Sequence, residues 1–243
     1  MFLVSQKTNV YLGVYFLLLV TLLLATYLGW FAIEPYIKGC MIPALLFVAY
    51  SLVLQGGKES NFFSRKTSKW IFGFGMTAAL VGDVLMVFEA ADWIFRIAIY
   101  CYITLYAAWA WLFFTIANKT VHINWFFITV TVLVASIIGC VYYANWEGII
   151  AFKWSLLLYG VVFSIFIISC INASASAYVW PERSLFILGG AFFTIISQAL
   201  IAFSKFSPIR NLVTDLLILF LYYVAQLLIV KGLLERRAVQ PIL

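Results

Sequence analysis

Polar and apolar positions in this chain do not alternate; they separate into long blocks. Runs of about 20 apolar residues, the length a helix needs to cross a hydrocarbon core roughly 30 Å thick, recur from end to end with short polar connections between them. Eight spans are predicted: Val10–Phe31, Gly39–Leu54, Trp70–Phe88, Trp93–Phe114, Asn124–Tyr143, Ile150–Ile171, Ser184–Phe203 and Leu212–Leu233. A transmembrane barrel would show a period of two, and continuous runs of this length predict helices instead. The expected fold is all-α: a polytopic membrane protein of about eight transmembrane helices, forming one bundle domain over residues 1–243. The first span is too long for a signal peptide and has no small-residue cleavage pattern, so it is expected to be a retained helix.

Composition agrees. The 243 residues are 66% hydrophobic and only 10% charged, with a mean hydropathy of +1.09, which excludes a soluble globular domain. With the N-terminus inside, Lys7, Lys58, Arg65, Lys66, Lys69, Lys119, Arg183, Lys231, Arg236 and Arg237 fall on the inner side. Lys38, Arg96, Lys153, Lys205 and Arg210 fall outside. That bias predicts cytoplasmic termini, and the compact chain with almost no tails favours a bacterial inner membrane. The net charge of +6 then reflects topology and contact with anionic membrane lipid, not nucleic-acid binding.

Metal and redox chemistry find little support. Cys40, Cys101, Cys140 and Cys170 show no CxxC spacing and read as small packing residues, with a Cys40–Cys140 disulfide left open. The single histidine, His122, has no neighbouring ligands. No cofactor is called for.

The candidate chemistry centres on Asp83, which lies inside the third span, WIFGFGMTAALVGDVLMVF. A carboxylate in a membrane helix costs roughly 2.5–3.5 kcal/mol on insertion scales, so it is retained where it faces protein or a wet cavity. Gly75, Ala78 or Ala79, and Gly82 form a small-residue stripe along which another helix can approach closely, and Asp83 borders that seam. It is read either as a functional group or as a tether between helices.

Other polar residues are placed around it. In the fourth span Tyr102, Tyr106, Trp109 and Phe113 share a face, which suits packing as well as chemistry. In the sixth, Ser155 and Tyr159 are one turn apart, and Tyr159 can bond a substrate or a backbone carbonyl. Lys38 can snorkel to headgroups or turn inward toward an anion. The eighth span lines up Asp215, Leu219, Tyr222 and Gln226, so that face is expected to be buried or wet. Asp215 alternatively caps the helix N-terminus. Shifted by 115 residues, the seventh span overlays the third, with Gly190 on Gly75, Ser197 on Gly82 and Gln198 on Asp83. This suggests two parallel four-helix halves with the site between them.

The segments LVGDVLMVF, SQALIAFSKF and LYYVAQLLI, with IKGCMIP around Lys38 and Pro43, resemble in order and spacing the YhhN family of lysoplasmalogenase-like integral membrane proteins. The resemblance implies an eight-helix plan and hydrolysis of the vinyl ether bond of lysoplasmalogens to a fatty aldehyde and a glycerophospho-ethanolamine or -choline. It also implies two acid–base aspartates, one in a GD pair and one in an SD pair. The first is Asp83; the second position reads Ser197-Gln198. A histidine expected three residues before a tyrosine in the fourth span is absent, with Ile103 and Thr104 standing near Tyr106.

Vinyl ether hydrolysis needs a general acid to protonate the alkene carbon and a base to activate the water that captures the oxocarbenium ion. The resulting candidate catalytic set is Asp83, Gln198 and Asp215. Lys38, Tyr106, Tyr159, Ser197, Tyr222 and Gln226 are the candidate contacts to a lysophospholipid. A non-catalytic lysophospholipid binder or translocator is the alternative, and a proton-coupled carrier using Asp83 and Asp215 is a third reading. Nothing in the sequence fixes an oligomeric state.

Overall fold

A computed structural model describes residues 2–55, 66–88, 92–117, 152–176, 181–206 and 211–234, with isolated helical positions 129, 136, 139 and 143. Among the described residues there are seven long helices and no strands: α1 (Phe2–Tyr27), α2 (Glu34–Gln55), α3 (Lys66–Leu85), α4 (Asp92–Ile116), α5 (Lys153–Ser174), α6 (Pro181–Phe206) and α7 (Leu212–Leu234). A 3₁₀ turn, Met86–Phe88, extends α3. All seven are long and apolar enough to cross a membrane, so the chain is a multi-pass membrane protein. The predicted fifth span, Asn124–Tyr143, lies outside the described residues apart from positions 129, 136, 139 and 143, as do His122, Cys140 and the basic residues Lys58, Arg65, Lys119, Arg210, Arg236 and Arg237.

Local chemistry sets the helix ends. Gly29, with φ of 69°, ends α1 in a Schellman arrangement: Trp30 N–H donates to Ala25 O at 2.8 Å and Gly29 N–H to Thr26 O at 3.2 Å. The next helix starts at Glu34, five residues before the predicted Gly39, because Pro35 in the first turn has no N–H to leave unpaired and its fixed φ suits a helix. Pro181 starts α6 in the same way, three residues ahead of the predicted Ser184. Asn211 caps α7, its Oδ1 accepting from Thr214 N–H at 2.7 Å and from the Thr214 hydroxyl at 2.8 Å. The cap considered for Asp215 therefore belongs to Asn211, and Asp215 is left for other contacts. At the opposite end of α7 the Arg183 guanidinium donates to the carbonyls of Gly232 and Leu233, closing orphan C-terminal acceptors.

Helices adjacent in sequence pack together, α1 on α2, α3 on α4, α5 on α6 and α6 on α7. Across the stretch between α4 and α5 these two also pair. The last helix, α7, additionally meets α1, α2 and α4, so its face is the common wall of the bundle. The predicted small-residue stripe does bring α3 and α4 close: a Cβ on Gly75 would sit 2.9 Å from Ala108 Cβ, and one on Gly82 3.3 Å from Cys101 Cβ. Ala79 is fully buried between them. Gly190 does the same for α6 and α7, where a Cβ would lie 2.8 Å from Ile229 Cγ1 and 3.0 Å from its backbone N. The outward faces are themselves apolar, with Leu17, Phe47, Phe74 and Phe192 exposed, as hydrocarbon surroundings require.

Candidate active site

Asp83 reaches the bundle interior because Gly82 lets α4 come into contact beside it. The residue is 4% exposed. Its Oδ1 accepts a hydrogen bond from the Tyr102 hydroxyl at 2.8 Å and its Oδ2 one from the Tyr223 hydroxyl at 3.2 Å. Tyr222 lies beside the same carboxylate, its ring edge-on to Tyr102 at 6.2 Å and to Tyr223 at 5.0 Å. A further layer supports these: Tyr15, on α1, donates to the Tyr223 carbonyl at 2.7 Å. Three helices thus contribute a hydroxyl, and a fourth the carboxyl, to one buried polar cluster.

A second cluster adjoins it through α4. Tyr159 donates to Gln198 Oε1 at 2.6 Å and Gln198 Nε2 donates to the Tyr106 hydroxyl at 2.9 Å. Tyr106 is one turn from Tyr102 on α4, so Asp83 and Gln198 are served by consecutive tyrosines of one stripe. The partner of Tyr159 is therefore the Gln198 side chain and not a backbone carbonyl. Ser155 faces Tyr100 at 3.2 Å instead, and Ser197 is fully buried and donates to Ile218 O at 3.3 Å, which makes it a clamp between α6 and α7.

Several other buried polar atoms, including Tyr222 Oη beside the Asp83 carboxylate, make no hydrogen bond of good geometry. Trp109 Nε1 and both amide atoms of Gln226 are among them, and Gln226 and Trp109 are wholly inaccessible. Tyr222 and Gln226 are one turn apart on α7. An unsatisfied buried polar group costs about 1–3 kcal/mol, a cost that a hydrogen-bonding partner at this face would offset.

A charged region, the approach, lies at one end of the bundle; its walls include Val84, the residue after Asp83, and none of the cluster's own side chains. Two adjoining cavities of about 150 and 930 Å³ share Phe31, Glu34, Lys38, Met86 and Lys205 in their walls. The smaller is also lined by Asp215, Ser204, Ile218 and Leu219, the last two one turn before Tyr222 and Tyr223. Lys38 turns inward, pairing with Glu34 at 2.8 Å. Asp215 accepts from Ser204 at 3.3 Å. It stands about two turns from Tyr222 along α7, roughly 10 Å at 1.5 Å per residue, so it belongs to the approach and not to the ring of groups around Asp83.

Of the residues singled out in sequence, Asp83 and Tyr222 meet at the inner cluster, Gln226 is buried one turn further along α7, Tyr106, Tyr159 and Gln198 form a neighbouring cluster, and Lys38 and Asp215 line the approach. Sequence reasoning missed Tyr223, Tyr15 and Lys205. The first is signalled only by its adjacency to Tyr222. The second lies on a span whose sequence carries no intramembrane charge. Lys205 enters the sequence reading through topology alone. Among the described residues no group of three or more His, Cys, Asp or Glu side chains is placed to hold a metal, and Cys40, Cys101 and Cys170 are free thiols.

A buried carboxylate bonded by phenols, with charged clefts at one end of the same helical bundle, defines a membrane protein with an intramembrane polar site. The chain belongs to the YhhN family, whose model matches residues 33–233, a stretch from the turn before α2 almost to the end of α7. No curated protein and no solved structure is significantly similar to it.

Proposed function

We propose that this chain is a membrane hydrolase of the lysoplasmalogenase type, cleaving the vinyl ether of a lysoplasmalogen to a fatty aldehyde and a glycerophosphodiester. The observation that carries the reading is the Asp83 carboxyl, buried among Tyr102, Tyr222 and Tyr223, while the next residue, Val84, lines the cavity of about 930 Å³. Membership of a family associated with this reaction supports it.

One carboxyl is sufficient for the proton balance. Protonated Asp83 gives its proton to the alkene carbon β to the ether oxygen, and the electrons of the double bond form the new C–H bond, leaving an oxocarbenium ion beside the carboxylate. Asp83, now ionised, stabilises that cation and takes a proton from the attacking water. The hemiacetal then breaks its C–O bond to the glycerol, the hemiacetal proton passing to the departing oxygen. Tyr102 and Tyr223 hold the carboxylate in place. The Tyr222 hydroxyl beside the Asp83 carboxylate and the buried Gln226 amide are suited to position the water and the ether oxygen. Gln198 cannot accept a proton from water, and its bonds to Tyr159 and Tyr106 give it an orienting role.

Purified protein given a lysoplasmenyl-ethanolamine in D₂O should release aldehyde carrying one deuterium on the carbon next to the carbonyl. Absence of aldehyde from every lysoplasmalogen with folded protein would reject the hydrolase. The second reading, a non-catalytic lysophospholipid binder, is favoured by Gln198 standing where the resemblance expects an aspartate. It requires that lysolipid raise the thermal midpoint while remaining intact.

A further inference from the structure

The charged groups of the approach are balanced. Among the described residues, Lys38 and Lys205 line the same cavity of about 150 Å³ as Glu34 and Asp215, two cations and two acids, with the Ser204 hydroxyl on Asp215 and Lys205 Nζ also 4.7 Å from the centre of the Phe95 ring. The Lys38–Glu34 pair is largely buried, its side chains 13% and 14% exposed. A largely desolvated ion pair is close to break-even energetically. Its two members are therefore ready to exchange partners with a ligand that brings one charge of each sign.

We infer that this cavity is a headgroup subsite for phosphoethanolamine, in which Lys38 and Lys205 take the phosphate while Glu34 and Asp215 take the ammonium. This rests on the proposed reaction only for the identity of the lipid tail. Binding opens the Lys38–Glu34 pair and replaces it with two new ones, so the net charge in the cavity is unchanged. A head with a phosphate and no amine leaves both acids facing an added anion, an arrangement that disfavours it. The acids also discriminate between amines. A primary ammonium donates hydrogen bonds to carboxylates, whereas a trimethylammonium has none to give and would need aromatic faces around it. The smaller cavity offers one aromatic wall, Phe31. Ethanolamine is accordingly preferred to choline.

The depth is consistent with the inner cluster. Ile218 and Leu219 floor the cavity, and Tyr222 and Tyr223 follow within about one helical turn, roughly 5.4 Å. A phosphate held at Lys38 and Lys205 therefore leaves its glycerol and the first atoms of the chain to extend toward Asp83.

The test is binding, measured by calorimetry on purified protein in detergent with ester-linked lysolipids, which carry no vinyl ether. Lysophosphatidylethanolamine should bind about tenfold tighter than lysophosphatidate, the scale of one charge-assisted contact, and tighter than lysophosphatidylcholine. Lys205→Gln should weaken all three. Glu34→Gln should weaken the ethanolamine lipid and strengthen lysophosphatidate, erasing the preference; Asp215→Asn provides the same readout if Glu34→Gln does not fold. Soluble glycerophosphoethanolamine should compete with the lysolipid, whereas inorganic phosphate alone should not compete comparably. Equal binding of lysophosphatidate, a ranking untouched by both acid substitutions, or full competition by inorganic phosphate would overturn the subsite. If the ranking holds while no aldehyde is formed from lysoplasmenyl-ethanolamine, the proposed reaction fails and the subsite stands. If aldehyde is formed without any headgroup ranking, the reaction stands and the subsite fails.

Discussion

Asp83 and Gln198 occupy matching places on α3 and α6, each eight residues after a glycine, Gly75 or Gly190, that seats the helix against its successor. One position holds a carboxyl with a phenol on each oxygen. The other holds an amide whose oxygen and nitrogen each meet a phenol. The two clusters share the α4 tyrosine stripe, so their difference lies in a single group: the first can hand over and recover a proton, and the second can only orient. Two helices can thus keep matching packing and hydrogen-bond geometry while only one of them carries a group able to transfer a proton.

The largest expected effect breaks that asymmetry at its active end. Asp83→Asn, which retains shape and loses proton transfer, should lower aldehyde release by at least about 100-fold, the range of a general acid–base group. Gln198→Leu should act on stability instead. It strands the Tyr159 and Tyr106 hydroxyls at about 1–3 kcal/mol each, visible as a lower thermal midpoint in detergent, while turnover stays within about tenfold.

The two glycines allow a finer contrast. Both alanine substitutions overpack a helix seam, at about 1–3 kcal/mol. Gly190→Ala should be the more damaging in the same melting experiment, because its Cβ meets three atoms within 3.2 Å, two of them backbone (Ile229 N at 3.0 Å and Ala225 O at 3.2 Å), whereas the Gly75 Cβ meets a single atom that close, Ala108 Cβ at 2.9 Å. The smallest effect belongs to the phenols on Asp83. Tyr102→Phe, at the 2.8 Å bond, should reduce turnover more than Tyr223→Phe, at 3.2 Å, each by a factor corresponding to about 1 kcal/mol.

Much of this was legible in the sequence, for reasons that are physical. Seven spans stand out because hydrocarbon demands unbroken apolar length. Asp83 stands out because a membrane carboxylate is expensive, and the Gly75–Ala79–Gly82 stripe because close helix contact needs small side chains. The tyrosines around Asp83 were hidden by abundance. With 14 Tyr and 23 Phe in the chain, a phenol that bonds the carboxylate looks like one that packs. Tyr15 and Tyr223 join the site through tertiary approach alone. Helix starts at Glu34 and Pro181 were shifted by first-turn prolines, which moved Glu34 into register with Lys38 one turn on and so created their ion pair. Lys205 and Asp215 are far from Lys38 in sequence, and only the bundle brings the three to one cavity.

The most direct measurement is aldehyde release from a lysoplasmenyl-ethanolamine micelle by wild type, Asp83→Asn and Gln198→Asp, each checked for folding. The account predicts an active wild type, a silent Asp83→Asn, and a Gln198→Asp no more than a few-fold different from wild type, since a single carboxyl serves as both acid and base. A wild type that is silent until Gln198→Asp restores the second carboxyl, or an Asp83→Asn that turns over normally, would contradict it.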